Sequence, residues 1–367
     1  MDSETTMSSG DDTIQLQVTV AYFSMEILIS VVALLGNSLV LVAYARSLRL
    51  QTVTNFFIVS LAIADLLVGL LGVPFALLTA EGLPHNFHAC LIMLTFLLCL
   101  CATSTFSLIG VTVDRFIAVT YPLQYHSIVT KKRALVTILG SWVLAGIVGF
   151  LPVIGWNQGE PDKPQCIFVD VIDMNYMGFN CLVVIILPFT VMLVMYGFIY
   201  KAIRTQLRRI GPTCTGGTSS NPSSVVRGTA MASSNARRKR RFSAYKRDVK
   251  AVKSVGVIIV IFAICWFPLS IINLRTALCP SCIGPSLTIY DVFIVLSHAN
   301  SAINPLIYAY GKDFRTAYKR TICKLFPWCT RMCHISPGPN TTIGAVAMGV
   351  SMHYGSGGEN SLTNDGY

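Results

Sequence analysis

Five ionisable side chains lie inside otherwise apolar stretches of this chain: Glu26, Asp65, the adjacent Asp114 and Arg115, and His298. Such groups are costly in lipid, so they face a bundle interior, pair with one another and mark functional paths. Their chemistry here is recognition and pairing rather than bond cleavage, because neither a His-Glu-x-x-His nor a Gly-x-Ser-x-Gly string occurs. Glu26 falls in the first apolar stretch and His298 in the last. Closing a ring of helices sets those two side by side, where a carboxylate would hold the imidazole in one tautomer and orientation.

The elements that must position these groups are seven apolar stretches, roughly 18–46, 52–80, 87–121, 131–155, 174–208, 249–277 and 284–310. Each reaches the ~20 residues needed to cross a bilayer as a helix, and the longer ones leave room for tilt. Composition agrees: 53% of residues are hydrophobic and 12% charged, too few charges to coat a soluble surface, where about 25% is usual. The expected fold is an all-α membrane bundle of seven helices over 18–310. A short amphipathic eighth helix is expected over 311–325.

The positive charge is a topology signal. The first 17 residues hold Asp2, Glu4, Asp11 and Asp12 and no base, so no cleavable signal peptide is expected and 1–17 becomes an extracellular tail. With that tail outside, the inner loops collect Arg46 and Arg49, then Lys131, Lys132 and Arg133, then the run Arg237 to Arg241. Of 28 Lys and Arg, only Lys163 and Arg275 fall on the outer side. The net charge of +11 therefore reads as membrane orientation, with attraction to anionic inner-leaflet lipid, and no nucleic-acid partner is expected. Residues 211–247 are expected to be a flexible basic third inner loop, and 326–367 a disordered cytoplasmic tail.

Cysteines divide by side. Cys279 and Cys282 form a Cys-Pro-Ser-Cys loop on the outer side; no second pair at metal-site spacing is evident, which favours a local disulfide. Cys323, Cys329 and Cys333 follow the amphipathic stretch and are candidates for palmitoylation, with apolar packing as the alternative.

An ordered set of motifs, one per span, resembles the rhodopsin-like G-protein-coupled receptors: Gly36-Asn37-Ser38, Leu61-Ala62-Ile63-Ala64-Asp65, Asp114-Arg115-Phe116, Trp142, Pro188, Cys265-Trp266-Phe267-Pro268 and Asn304-Pro305-Leu306-Ile307-Tyr308. The resemblance implies a Cys90–Cys166 disulfide. It implies a sodium ion at Asp65, Ser104, Asn300 and Ser301, whose oxygen donors suit a hard cation, and no other cofactor. It also implies an activation switch of Asp114, Arg115, Asp248, Tyr196, Pro268, Asn304, Pro305 and Tyr308. The two prolines are kink sites that let the inner half of a helix swing. The partners implied are a heterotrimeric G protein, arrestin, receptor kinases and membrane lipid, with no enzymatic activity.

Two ligand handles are excluded by position. A retinal protein needs Lys where His298 stands, and an amine receptor needs Asp where Leu97 stands. The local strings are similar to the adenosine receptors: Gly155-Trp156-Asn157, Cys166-Ile167-Phe168, Met174-Asn175-Tyr176-Met177, Pro268-Leu269-Ser270-Ile271-Ile272-Asn273 and Ser297-His298-Ala299-Asn300-Ser301. By that resemblance Phe168 stacks on a purine, Asn273 bonds its amine and a ring nitrogen, and Leu269 and Ile294 sandwich the ring. Ser297 and His298 meet the ribose, Glu26 fixes the imidazole and Trp266 forms the floor. Leu98, Cys101 and Asn180 line the cup. Cys101 and Ala102 depart from the family's Thr and Gln, and Val169 replaces the acid that commonly follows the stacking Phe. The alternatives on the same scaffold are an orphan receptor for another small molecule, a lipid or a peptide. Outside receptors the rival is a transporter, which the absence of an inverted repeat disfavours.

Overall fold

A computed structural model describes residues 8–210, 227–279, 281–282 and 286–325. The helices are α1 Ser8–Arg46, α2 Val53–Ala80, α3 Phe87–Thr120, α4 Lys131–Gly149, α5 Met174–Thr205 (continuing to Ile210), α6 Arg227–Leu278, α7 Leu287–Tyr308 and α8 Lys312–Leu325. Six are long and apolar enough to cross a membrane on their own. The bent pair α7 and α8, turned by 95°, brings the number to seven. No strand occurs among the described residues, only an isolated bridge between Asn157 and Ile172.

α3 is the axis of the bundle. It packs on α2, α4 and α5, and 72% of its apolar window is buried against 22% for α4. α1 closes the ring onto α7, and α8 folds back beneath α1. The close approach of α1 to α7 requires Gly36, where a Cβ would come 2.9 Å from Pro305 Cγ. α8 lies along the bundle because Phe314, Ala317, Tyr318 and Thr321 are buried, an i, i+3, i+4, i+7 stripe on one face.

Prolines shape the spans. Turns of π-helix at Val68–Gly72 in α2 and Cys181–Ile186 in α5 each stop two residues before a proline, Pro74 and Pro188. A proline offers no N–H and clashes with the carbonyl four residues back, so the preceding turn widens. Pro268 and Pro305 lie within α6 and α7. Helix starts are capped by side chains: Asn86 accepts from the Ala89 N–H at 2.9 Å, and Asp173 accepts from Asn175 at 2.7 Å and Tyr176 at 3.0 Å.

Two boundaries differ from expectation. α1 begins at Ser8, inside the stretch read as a tail. α6 begins at Arg227 and runs 52 residues, so the basic run 237–241 lies on helical backbone instead of a flexible loop. Its Ala, Met, Arg and Lys are strong helix formers, and that propensity overrides the polar composition. Residues 1–7, 211–226 and 326–367, with Cys329 and Cys333, lie outside the described residues. Cys323 is half-buried on α8.

Candidate ligand-binding site and its polar core

The two ends of the bundle are chemically distinct. At one, Cys90 at the start of α3 is bonded to Cys166 with Cα atoms 5.5 Å apart, and Cys279 is bonded to Cys282. The other carries Lys131, Lys132 and Arg133. We refer to them as the disulfide end and the basic end.

At the disulfide end, the Cys90–Cys166 bridge and a Cys166 N–H bond to the Gly82 carbonyl (2.8 Å) hold the loop that precedes Phe168. Phe168 starts a one-turn helix, Phe168–Val171, and packs against a buried cluster that includes Leu98 of α3 and Tyr176 and Met177 of α5. Asn180 of α5 is buried with its Oδ1 unpartnered. On α6, Trp266, Leu269 and Asn273 recur at helical spacing. Asn273 is buried, the other two half-buried, and Ser270 Oγ donates to the Trp266 carbonyl at 2.8 Å. On α7, Ile294 is half-buried and Ser297 is buried, donating to the Ile294 carbonyl at 2.7 Å. Cys101 of α3 is half-buried and unbridged.

Glu26 and His298 meet as the sequence suggests. His298 Nδ1 lies 2.9 Å from both Glu26 carboxyl oxygens, and Glu26 is fully buried. Two ionisable groups thus enter the interior as a pair, and their mutual hydrogen bond offsets part of the desolvation cost that either would incur alone. A ring N–H that donates to a carboxylate also fixes which nitrogen is left over.

Deeper in, Asp65 is fully buried and takes three neutral donors. Ser104 Oγ at 3.0 Å and Ser301 Oγ at 2.9 Å reach Oδ1, and Asn304 Nδ2 at 2.8 Å reaches Oδ2. Asn37 Nδ2 donates to the Ser301 carbonyl at 3.0 Å, fastening α1 to α7. Asn300 is buried but makes no bond to Asp65; its Oδ1 has no partner, and the same holds for Asn37 Oδ1, Asn304 Oδ1 and the Tyr308 hydroxyl. Buried polar atoms are normally satisfied. Unpartnered oxygens beside a carboxyl group are a donor set that a hard monovalent cation with its water would complete. Among the described residues no group of three or more His, Cys, Asp or Glu could hold a metal, which disfavours a transition-metal centre. Sequence reasoning missed Asn304 as a direct partner of Asp65. Its signal was present, since Asn304 lies one helical turn beyond Ser301.

At the basic end, Arg115 Nε donates to Asp114 Oδ2 at 2.9 Å, and its terminal nitrogen also meets Thr54 of α2. Tyr125, in the loop after α3, donates to Asp114 Oδ1 at 2.8 Å. Burial raises the Tyr125 phenol above its ordinary value, so it stays a donor. Thr54 and Tyr125 carried no periodic sequence signal. Asp248 lies on the helical backbone of α6. Neither Tyr196 nor Tyr308 bonds Arg115 among the described residues. Tyr196 donates to the Val252 carbonyl of α6 at 3.4 Å, and the Tyr308 ring lies 5.6 Å from Phe314. Trp142 donates to Ser60 at 3.0 Å, and Ser60 meets Ser107 at 2.9 Å, joining α4, α2 and α3.

Comparisons with known proteins match this arrangement. The model for the 7 transmembrane receptor (rhodopsin family) matches residues 36–308. The adenosine receptor A2a of Homo sapiens is 38% identical over 316 residues, covering 82% of this chain and 72% of the relative. The A2a receptor of Canis lupus familiaris is 37% identical over the same shares. The adenosine receptor A2b of Gallus gallus is 36% identical over 338 residues, 84% of this chain and 92% of the relative. The chain is thus a multi-pass membrane receptor and not an enzyme: it belongs to the rhodopsin family of seven-transmembrane receptors, related within it to the adenosine receptors.

Proposed function

We propose that the protein is a plasma-membrane receptor for an extracellular nucleoside, adenosine first, and that its occupancy activates a heterotrimeric G protein and changes cyclic AMP. The disulfide end faces outward and the basic end the cytoplasm, as the distribution of Lys and Arg requires. The observation that carries the ligand reading is the buried Glu26–His298 pair, set on the same bundle end as Asn273 and Phe168. With Nδ1 on Glu26, the imidazole offers Nε2 to a sugar hydroxyl beside Ser297. The Asn273 amide supplies a donor and an acceptor together, as an aminopurine edge requires. Phe168, Leu269 and Ile294 supply apolar faces, and Trp266 lies one helical turn below Leu269 and Ser270 as the floor. Leu98, Cys101 and Asn180 complete the wall.

Binding needs only to favour the open state over the closed one. The Asp114–Arg115–Tyr125 network belongs to the closed state. Opening would free Arg115 and let Tyr196 and Tyr308 turn inward around the kinks at Pro268 and Pro305. Sodium at Asp65, Ser104, Ser301 and Asn300 would favour the closed state. Asp248 as a lock for Arg115, palmitate on Cys329 and Cys333, and arrestin and receptor kinases as later partners belong to the same reading; Cys323, expected as a third lipidation site, is disulfide-bonded instead.

The test is a cyclic-AMP assay with adenosine and inosine in cells expressing the chain. A response to adenosine absent from untransfected cells is expected, and its sign reports the G-protein class. No response, with receptor at the surface, would overturn the assignment.

A further inference from the structure

One cavity lies away from the proposed nucleoside site, on the outer face of the bundle toward the basic end. It is a groove of about 610 Å³ between α3, α4 and α5, walled by Val113, Ile117, Gly140, Leu144, Leu187 and Val191. Val113, Leu144, Leu187 and Val191 are exposed, so the groove opens to lipid. Gly140 is its gap: no atom lies within 4 Å of where its Cβ would be. Asp114 touches the inner wall but is held by Arg115 and Tyr125.

Three observations identify an occupant. The first is length. From Arg133 at the mouth to Leu144 is eleven residues of α4, or ~16 Å, which matches one leaflet of a ~30 Å hydrocarbon core. The second is charge. Lys131, Lys132 and Arg133 are exposed, fill the first turn of α4, and have no acid beside them. Cations at a helix N-terminus oppose the macrodipole, whereas an anion there is favoured. The third is placement. Arg133 is pinned at the mouth by bonds from one nitrogen to the Ser127 (2.9 Å) and Ile128 (3.0 Å) carbonyls. A guanidinium has five N–H donors, so the rest of the fork remains for a phosphate.

We propose that this groove is a binding site for one anionic phospholipid of the leaflet at the basic end. An acyl chain lies along Gly140, and the phosphate sits on the first turn of α4. Such a lipid bridges α3, α4 and α5 and stiffens the closed arrangement without touching the nucleoside site.

Native mass spectrometry of the purified full-length receptor, titrated with dipalmitoyl phosphatidylglycerol or dipalmitoyl phosphatidylcholine, tests this. The wild type is expected to retain one phosphatidylglycerol at least tenfold more tightly than phosphatidylcholine. Gly140→Phe, which fills the groove, is expected to lose it by about tenfold or more. Gly146→Phe, at an open position of α4 outside the groove, is expected to retain it. Lys131→Gln with Arg133→Gln is expected to erase the preference between the two lipids. Equal retention by Gly140→Phe and the wild type, or no preference for phosphatidylglycerol in the wild type, would overturn the proposal. A measurement free of variants decides the case if Gly140→Phe does not fold: a phosphatidylglycerol with a diazirine in its acyl chain should label 109–117 and 137–144 of the wild type. Labelling spread evenly over all lipid-facing helices would overturn it.

Discussion

The disulfide end and the basic end are stabilised in different ways. At the disulfide end the elements proposed to face a ligand are pinned covalently or by a buried carboxylate–imidazole hydrogen bond. Cys90–Cys166 fixes the loop before Phe168, and Glu26 fixes His298. At the basic end the corresponding links are an Arg115–Asp114 ion pair within one helix and hydrogen bonds from these two residues to Thr54 and Tyr125, each separable without breaking a covalent bond. Between them lies a polar layer with four unpartnered buried oxygen atoms, on Asn37, Asn300, Asn304 and Tyr308. The contrast teaches a division of labour. In the proposed function, the end that reads a small molecule is preorganised, which lowers the entropy lost on binding. The end proposed to change shape is held by contacts with alternatives, and the layer between has spare acceptors with which to rearrange.

Breaking the rigid end should have the largest effect. The Cys90–Cys166 bridge spans 76 residues and Cys279–Cys282 spans 3. On the loop-closure view, the first contributes ~4 kcal/mol and the second below ~2 kcal/mol. Cys90→Ser with Cys166→Ser should therefore remove most receptor from the cell surface, and Cys279→Ser with Cys282→Ser should leave most of it there. Surface labelling and a thermal melt check this; equal losses would contradict it.

Next is the buried pair. Glu26→Leu strands the His298 ring without its acceptor, an effect of roughly 1–3 kcal/mol. Nucleoside affinity should fall ~10–100-fold by the relation of 1.4 kcal/mol per tenfold. Competition binding checks it, and an unchanged affinity would remove the imidazole from the site.

The movable end should respond in the opposite direction. A Cβ at Gly256 would collide with the Tyr196 hydroxyl, so Gly256→Ala must push Tyr196 off its seat against α6. Overpacking of this kind costs ~1–3 kcal/mol, all of it charged to the closed state. Basal nucleotide exchange on the G protein should rise by roughly 5- to 150-fold by the relation of 1.4 kcal/mol per tenfold, and agonist affinity should rise with it as the open state gains population. A fall in basal exchange would place Tyr196 on the other side of the switch.

The smallest effect belongs to the middle layer. Asp65→Asn retains the size of the side chain and removes its charge. If sodium sits at Asp65, the wild type is expected to bind agonist more weakly in sodium than in its absence and the variant to show no such difference; a sodium effect that persists in the variant would place the ion elsewhere.

Much of this was legible in the sequence because lipid imposes rules. Length and hydropathy mark the spans. The cost of isolated charge singles out Glu26, Asp65 and His298, and ring closure pairs the first with the last. What escaped was local. The helical start of α6 at Arg227 was hidden because a Gly- and Ser-rich tract precedes a run of strong helix formers, and composition averages over both. Asn304 reads as half of an Asn-Pro motif, and only the turn geometry of α7 brings its amide to Asp65. Thr54 and Tyr125 lie in polar surroundings where neither period nor burial distinguishes them. The groove along Gly140 is invisible in one dimension, since it consists of space between three helices.

The central claim is that the disulfide end binds a nucleoside through Asn273. Equilibrium displacement of a radiolabelled adenosine analogue by adenosine, on purified wild type and Asn273→Ala, addresses it directly. A stranded partner at a hydrogen-bonding site gives losses of 10²-fold or more. Saturable binding to the wild type is therefore expected, weakened by about 10²-fold or more in the variant at an unchanged melting temperature. Equal affinity in the two proteins, or no saturable binding to a folded wild type, would contradict the claim.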